Sequence, residues 1–168
     1  QHESFVDTLR SEGVDVILLS DVLREKRRLL KMIERHPNLV FTRDIAFVTP
    51  NGYVSMRMKS PVRKRESGLA EAALIQLGIP RSKQVRLSGT VEGGDLITLD
   101  EETLVVGVGN RTSQTAVRDF NRTQATSGLR RLIAMRLPLT VIHLDGTMMA
   151  IDRDLAIVHP QSLVNKAS

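Results

Sequence analysis

Cysteine and tryptophan are absent from the sequence, and aromatic residues make up only 3% of its 168 residues. The absence of cysteine excludes disulfide bonds, thiolate zinc sites and, within these residues, a cysteine nucleophile. The few aromatic side chains leave no stacking platform for single-stranded nucleic acid. Apolar runs such as residues 16–19 and 104–106 are strand-sized, whereas a transmembrane helix needs roughly 20 residues. The chain is therefore expected neither to span a membrane nor to bind nucleic acid by stacking.

The remaining composition is that of a globular domain, with 41% hydrophobic and 26% charged residues. The length fits one domain, so residues 1–168 are expected to form a single domain. The 24 Lys and Arg against 19 Asp and Glu give a net charge of +5. Because the basic residues are spread along the chain without a nucleic-acid-binding motif, this charge alone does not indicate a nucleic-acid partner.

Hydrophobic spacing and turn residues predict an α/β fold in which helices, strands and hairpins follow one another. The Asn51-Gly52 pair, for example, supplies the positive φ angles of a tight hairpin. The predicted elements are a helix ending near Gly13, a strand over 14–19, a helix from Ser20 to His36, a hairpin over 41–58, a helix containing Leu69 and Leu77, a strand over 85–91, a hairpin over 96–108, a helix from Ser113, a strand over 140–144 and a hairpin over 148–158.

Three aspartates, Asp44, Asp95 and Asp145, precede the three hairpins at separations of 51 and 50 residues. A period of about 50 residues indicates a repeated supersecondary unit. Units arranged around an axis would bring the three carboxylates to one pocket, where a cation or protons would have to offset their repulsion. Aspartate often only ends a strand or begins a turn, but three in register favour a functional site.

Polar residues that are not expected within apolar strands occur in four segments of the sequence. Glu92 and His143 occupy matching positions in their units and are expected to form a carboxylate–histidine pair suited to general acid–base catalysis. A magnesium or calcium site would not require a histidine, so no metal is predicted. The four segments are Phe41-Thr42-Arg43-Asp44, Arg63 to Glu66, Glu92-Gly93-Gly94-Asp95 and His143-Leu144-Asp145.

In this order and spacing, the four segments resemble the arginine deiminases, which belong to the guanidino-group-modifying enzymes, and the resemblance extends over residues 36–161. It implies a five-bladed α/β propeller, the pentein fold, of which residues 1–168 would be an incomplete catalytic domain. It also implies a cytoplasmic enzyme without a cofactor, acting on L-arginine or a related guanidino compound. No nucleic acid or membrane partner is expected, and homo-oligomer formation is left open.

The resemblance assigns the reacting end of the substrate to five residues. Asp44 and Asp145 would hold the two edges of the guanidinium group. His143 would act as the general acid and base, supported by Glu92. Asp95 would belong to the same network on the substrate-binding side.

The resemblance assigns the other end of the substrate to Asn38, Arg63 and Arg111. These side chains would hold the α-carboxylate, which agmatine lacks. L-Arginine is therefore the expected substrate.

In the family, a cysteine thiolate attacks the guanidinium carbon, and water then hydrolyses the thiouronium intermediate to L-citrulline. The chain has no cysteine, a difference that either truncation or loss of the nucleophile would explain. The alternatives are an amidinotransferase, which transfers the amidino group to an amine, and a non-catalytic protein that binds a guanidino ligand.

The 168-residue chain is predicted to have no deiminase activity, because it offers no thiolate to attack the resonance-stabilised guanidinium carbon. Incubation with L-arginine should produce citrulline at the rate of buffer alone. Turnover that His143→Ala abolishes would show instead that another residue serves as the nucleophile.

Overall fold

The computed structural model describes residues 2–82, 86–127 and 129–163. Its helices are α1 (His2–Ser11), α2 (Leu19–Val22), α3 (Arg27–Glu34), α4 (Glu66–Gln76), α5 (Gln114–Ser127) and α6 (Pro160–Leu163). Its strands are β1 (Ala46–Thr49), β2 (Gly52–Ser55), β3 (Leu96–Thr98), β4 (Thr103–Val108), β5 (Arg131–Arg136), β6 (Met148–Ala150) and β7 (Ala156–Val158). Within these described ranges, no helix has both the length and the apolar character needed to cross a bilayer.

The strands form three small sheets, each built on one of the predicted hairpins. β1 pairs antiparallel with β2, β3 with β4, and β6 with β7. β5 adds to the second sheet as a parallel partner of β4. The first hairpin turns at Gly52, whose φ of +113° is a conformation that favours glycine.

A short 3-10 turn precedes each hairpin and carries its aspartate. The turns are Thr42–Asp44, Gly93–Asp95 and Leu144–Gly146. The second turn packs against both the first and the third. Gly93 makes this approach possible, because a Cβ atom there would collide with the backbone carbonyl of Arg43. The three acidic junctions therefore meet at one place.

Two apolar clusters support the junctions. The larger cluster joins α4, through Leu69 and Ala73, to β4 and to Phe120 of α5. The smaller one packs Leu144 of the third turn against Ile97 and Val105. Burying each large aliphatic side chain contributes about 2 kcal/mol, so both clusters help to hold the turns in place.

Four predicted elements differ in the structure, and three of them precede residue 92. Residues 14–19 form no strand and pair with none of the described strands, and Val14 and Ile17 are exposed. The helix expected from Ser20 to His36 is divided into α2 and α3. The strand expected over 85–91 is reduced to one bridge between Arg57 and Val91, and residue 85 lies outside the described residues.

The strand expected over 140–144 is also wrong, and the third strand of the second sheet is β5 instead. Backbone pairing decides between them, because a strand needs a partner edge for its N–H and C=O groups. β5 follows α5 and takes the free edge of β4. Residues 140–144 instead form irregular chain leading into the third turn.

Gly93→Ala is predicted to destabilise the protein by about 1–3 kcal/mol, because the added methyl group meets the backbone rather than a movable side chain. Gly68→Ala is the matched control: it lies in α4 with open space around its Cα and should gain up to about 1 kcal/mol from helix propensity. Denaturant unfolding measures both. Equal stabilities would contradict the close packing of the first two turns.

Candidate functional site

A cavity of about 610 Å³ opens beside the first and third turns. Of the eight predicted site residues, six line it, and the remaining two, Glu92 and Asp95, lie fully buried beneath its wall. The six lining residues are Asn38, Asp44, Arg63, Arg111, His143 and Asp145.

The expected Glu92–His143 hydrogen bond is present, with Nε2 of His143 2.8 Å from Oε2 of Glu92. The other oxygen of Glu92 accepts the backbone N–H of Lys59 at 2.9 Å and lies 3.5 Å from Nη1 of Arg111. Burial raises the pKa of Glu92, but these hydrogen bonds and the nearby positive charges outweigh burial and lower the pKa below its usual value. Glu92 is therefore an ionised, fixed partner for the imidazole.

The His143 ring has a carboxylate near each nitrogen. Its Nδ1 lies 3.8 Å from Oδ1 of Asp44, on the side opposite Glu92. Burial lowers the pKa of His143, but the hydrogen bond to Glu92 and the charges of Asp44, Asp95 and Glu92 outweigh it and raise the pKa above its usual value. A histidine with a raised pKa keeps its proton to a higher pH than a free imidazole does and can donate it to a leaving group.

Asp44 is buried and has both oxygens engaged. Oδ1 accepts a hydrogen bond from the backbone N–H of Gly94 at 3.2 Å, and Oδ2 accepts one from Nη1 of Arg63 at 2.7 Å. Since a carboxylate oxygen can accept more than one hydrogen bond, Oδ1 keeps an acceptor site toward His143. The carboxylate is thus held in one orientation.

Asp145 is the more accessible of the two aspartates that line the cavity. Its side chain is 31% exposed, and Oδ2 lies 3.7 Å from Nε of Arg43. Partial burial raises its pKa, although the positive charges of His143 and Arg43 act in the opposite direction. Asp145 therefore presents a carboxylate to the cavity whose ion pair with the largely exposed Arg43 is long, at 3.7 Å.

Asp95 connects the second turn to the third. Its Oδ1 accepts the backbone N–H of Leu144 at 2.9 Å. Burial raises its pKa to about 6. Because Asp95 does not line the cavity, its contribution to binding would be indirect, through the position of the third turn.

Arg63 and Arg111, to which the family resemblance assigns one role, have different surroundings. The side chain of Arg111 is 26% exposed, and its ion pair with Glu92 is long at 3.5 Å. The side chain of Arg63 is only 7% exposed and pairs with both Asp44 and Glu66 at 2.7 Å. Sequence reasoning included Glu66 at the end of a motif segment but assigned it no role, although its position three residues after Arg63 is a spacing at which side chains pair.

Within the described parts of the chain, Asp44, Glu92 and His143 also have metal-ligand geometry: one ligand atom from each lies within 4.8 Å of the others. The 2.8 Å between His143 and Glu92 is a direct hydrogen bond. It is shorter than the roughly 3.3 Å that separates two ligands of a tetrahedral zinc ion. This pair therefore suits a proton better than a metal, and the absence of a metal stays a prediction.

Comparison with known proteins gives a family and a fold. The family model for arginine deiminase matches residues 27–167. Curated arginine deiminases from Listeria monocytogenes and Bacillus cereus are 35% and 29% identical over 160 and 154 residues. These alignments cover 82% and 81% of the chain, which spans only 38% of the length of each relative.

Two solved structures are similar in fold. One is dimethylarginine dimethylaminohydrolase from Pseudomonas aeruginosa complexed with citrulline, with a TM-score of 0.64 and 19% identity over 86% of this chain and 63% of that one. The other is the N-terminal domain of ArgZ, a cyanobacterial arginine dihydrolase, bound to product, with a TM-score of 0.66 and 18% identity over 86% and 56% of the two chains. The chain therefore has the mixed α/β fold of pentein structures over part of their length.

Glu92→Gln is predicted to lower the pKa of His143, because it removes a negative charge from the hydrogen-bonded partner while burial remains. An NMR titration of the imidazole, assigned with His143→Ala, measures the change. Glu25→Gln, on a side chain that is 90% exposed, should leave the titration unchanged. An unaltered midpoint in Glu92→Gln would contradict the pairing.

Proposed function

Because the chain belongs to the arginine deiminase family, we propose that it supplies the guanidinium-binding and acid–base groups for the hydrolysis of L-arginine to L-citrulline and ammonia. The observation that carries this proposal is the arrangement around one cavity of two carboxylates, Asp44 and Asp145, and a histidine paired with Glu92. A planar guanidinium cation presents N–H groups along its edges, and carboxylates are their natural acceptors.

The proposed chemistry divides the residues by task. Asp44 and Asp145 bind and orient the guanidinium group. A cysteine thiolate from outside these 168 residues attacks the guanidinium carbon, and the imidazolium of His143 donates a proton to the departing ammonia. Neutral His143 then takes a proton from the water that attacks the thiouronium carbon, and the thiolate leaves. Glu92 stabilises the protonated ring in both steps.

The α-carboxylate of the substrate is proposed to lie toward Arg111 and Asn38. Both residues line the cavity, and Arg111 has an accessible guanidinium with only a long ion pair to Glu92. A bound carboxylate could therefore approach Arg111 without breaking a short internal contact.

The finer features of the fold belong to the same proposal. We infer that residues 1–168 are part of a propeller of repeated units in one catalytic domain, working in the cytoplasm. The support for the repeated units is the recurrence of an aspartate-bearing turn before each of the three hairpins.

A non-catalytic protein that binds a guanidino compound is the second candidate. One observation favours it, namely that the sequence contains no cysteine. Both candidates require the guanidinium subsite formed by Asp44 and Asp145, so measurements of ligand binding test both.

Asp145→Asn is predicted to weaken L-arginine binding by about 1.5–3 kcal/mol, the usual contribution of a hydrogen bond to a charged group. Calorimetry with the 168-residue chain measures this loss. Asp154→Asn, an exposed position in the same hairpin region, is the matched control and should bind like wild type. Equal affinities for Asp145→Asn and wild type would contradict the guanidinium subsite.

Arg111→Ala is predicted to weaken binding of L-arginine by roughly tenfold or more and to leave agmatine binding nearly unchanged, since agmatine has no carboxylate. The same calorimetric titration, run with both ligands, gives the ratio of affinities. If both ligands lost affinity equally, Arg111 would not hold the carboxylate.

A further inference from the structure

The hydroxyl group of Thr112 lies beside the second turn, away from the surface of the cavity. Thr112 is fully buried and does not line the cavity. Its Oγ1 accepts a hydrogen bond from the backbone N–H of Glu92 at 3.3 Å. Because a hydroxyl group can accept and donate at the same time, this bond leaves the hydroxyl proton for a second partner. Thr112 can therefore affect a ligand only through other residues.

The second partner of Thr112 is the carboxylate of Asp95, which is also fully buried. Oδ1 of Asp95 accepts the N–H of Leu144 at 2.9 Å. Within the described parts of the chain, Oδ2 has no short hydrogen bond, and a hydrogen bond from the Thr112 hydroxyl lowers the pKa of the carboxyl group. β4 passes this carboxylate with Gly107, which has no side chain to donate. Since a buried carboxylate without donors is costly, the hydroxyl of Thr112 matters here.

The charge of Asp95 depends on a balance of opposing effects. Burial and the charge of Glu92 raise its pKa, whereas the hydrogen bonds from Thr112 and Leu144 and the charge of His143 lower it, and the result is about 6. Loss of one donor to the charged form would raise the pKa further, toward neutral pH. A protonated Asp95 is a weaker acceptor for the N–H of Leu144.

Leu144 connects this buried network to the cavity. It stands between His143 and Asp145 in the sequence, and both of these neighbours line the cavity. Its own side chain is fully buried in the smaller apolar cluster. The hydrogen bond from its backbone to Asp95 therefore helps to set the position of two groups that face the ligand.

We propose that the buried hydroxyl of Thr112 is a positioning group, which keeps Asp95 a charged acceptor for Leu144 and thereby holds His143 and Asp145 in place for a guanidinium ligand. This role deepens the proposed function and rests on it. It concerns the guanidinium end of the ligand. Loss of the hydroxyl therefore weakens L-arginine and agmatine alike, with or without a carboxylate.

The first test is calorimetry on the 168-residue chain with both ligands, at neutral pH and well below the melting temperature of each variant. Thr112→Val keeps the shape of the side chain and removes its hydroxyl. It should weaken both ligands roughly fivefold, the effect of losing one hydrogen bond, and leave their affinity ratio unchanged. Thr112→Ser keeps the hydroxyl and should bind like wild type. Should Thr112→Val fail to fold, Thr112→Ala removes the same hydroxyl and takes its place.

The NMR signal of the Leu144 backbone amide is a second readout, because this N–H donates directly to Asp95. In the wild-type chain it should titrate with a midpoint of about 6, the pKa of Asp95. Thr112→Val should raise the midpoint, since it removes a hydrogen bond to the charged form, and Thr112→Ser should restore it. An unchanged midpoint in Thr112→Val would overturn the role of Thr112.

Thr103→Val is the matched control. Thr103 is also buried, and its hydroxyl donates to Asp100 at 2.8 Å in the second hairpin, away from the cavity. This variant should change neither the affinities nor the titration of Leu144. If it weakened binding as much as Thr112→Val, the effect would be general destabilisation and the proposal would fall.

Two further outcomes separate this role from the proposed function. A loss of affinity for L-arginine alone in Thr112→Val would indicate an effect through the neighbouring Arg111, and it would overturn the positioning role while leaving the proposed function intact. If the wild-type chain bound neither ligand, the proposed function would fail, and the positioning role with it.

Discussion

The site depends on one electrostatic constraint: three acidic turns meet in the interior, and their negative charge must be offset there. Asp44, Glu92 and Asp95 are each at most 5% exposed, and an unpaired buried carboxylate is costly. Arg63 offsets Asp44, and His143 with Arg111 offsets Glu92. At Asp95 burial dominates and raises the pKa to about 6, although hydrogen bonds from Thr112 and Leu144 and the charge of His143 act in the opposite direction.

The offsetting groups differ in how firmly they are held, and the proposed chemistry of the cavity follows from this difference. Arg63 is enclosed by short contacts. The Arg111–Glu92 and Arg43–Asp145 ion pairs are longer, at 3.5 and 3.7 Å, and their arginines are partly exposed. Held groups provide orientation, and loosely held groups can exchange their partner for a ligand. A ligand with a cationic planar end and an anionic tail would match this distribution, as L-arginine does.

The sequence predicts the parts of the fold and the site that neighbouring residues determine, but it does not predict those that depend on residues distant in the chain. The Asn51-Gly52 turn predicts the first hairpin, and the four motif segments identify the arginine deiminase family, which the family model confirms. The prediction of a strand over 140–144 is wrong, and β5 was not predicted, because strand formation here depends on the free edge of β4. The pairing of Arg63 with Asp44 could be recognised only in the fold, since the two residues lie 19 positions apart in the sequence.

The central claim is that the cavity binds a guanidinium group between Asp44 and Asp145, in front of His143. A crystal structure of the 168-residue chain soaked with L-arginine tests it most directly. We expect the guanidinium nitrogens to lie within about 3 Å of Oδ1 of Asp44 and of the Asp145 carboxylate, with Arg63 still on Asp44 and Glu66. L-Arginine bound elsewhere, or with its carboxylate against His143, would contradict the account.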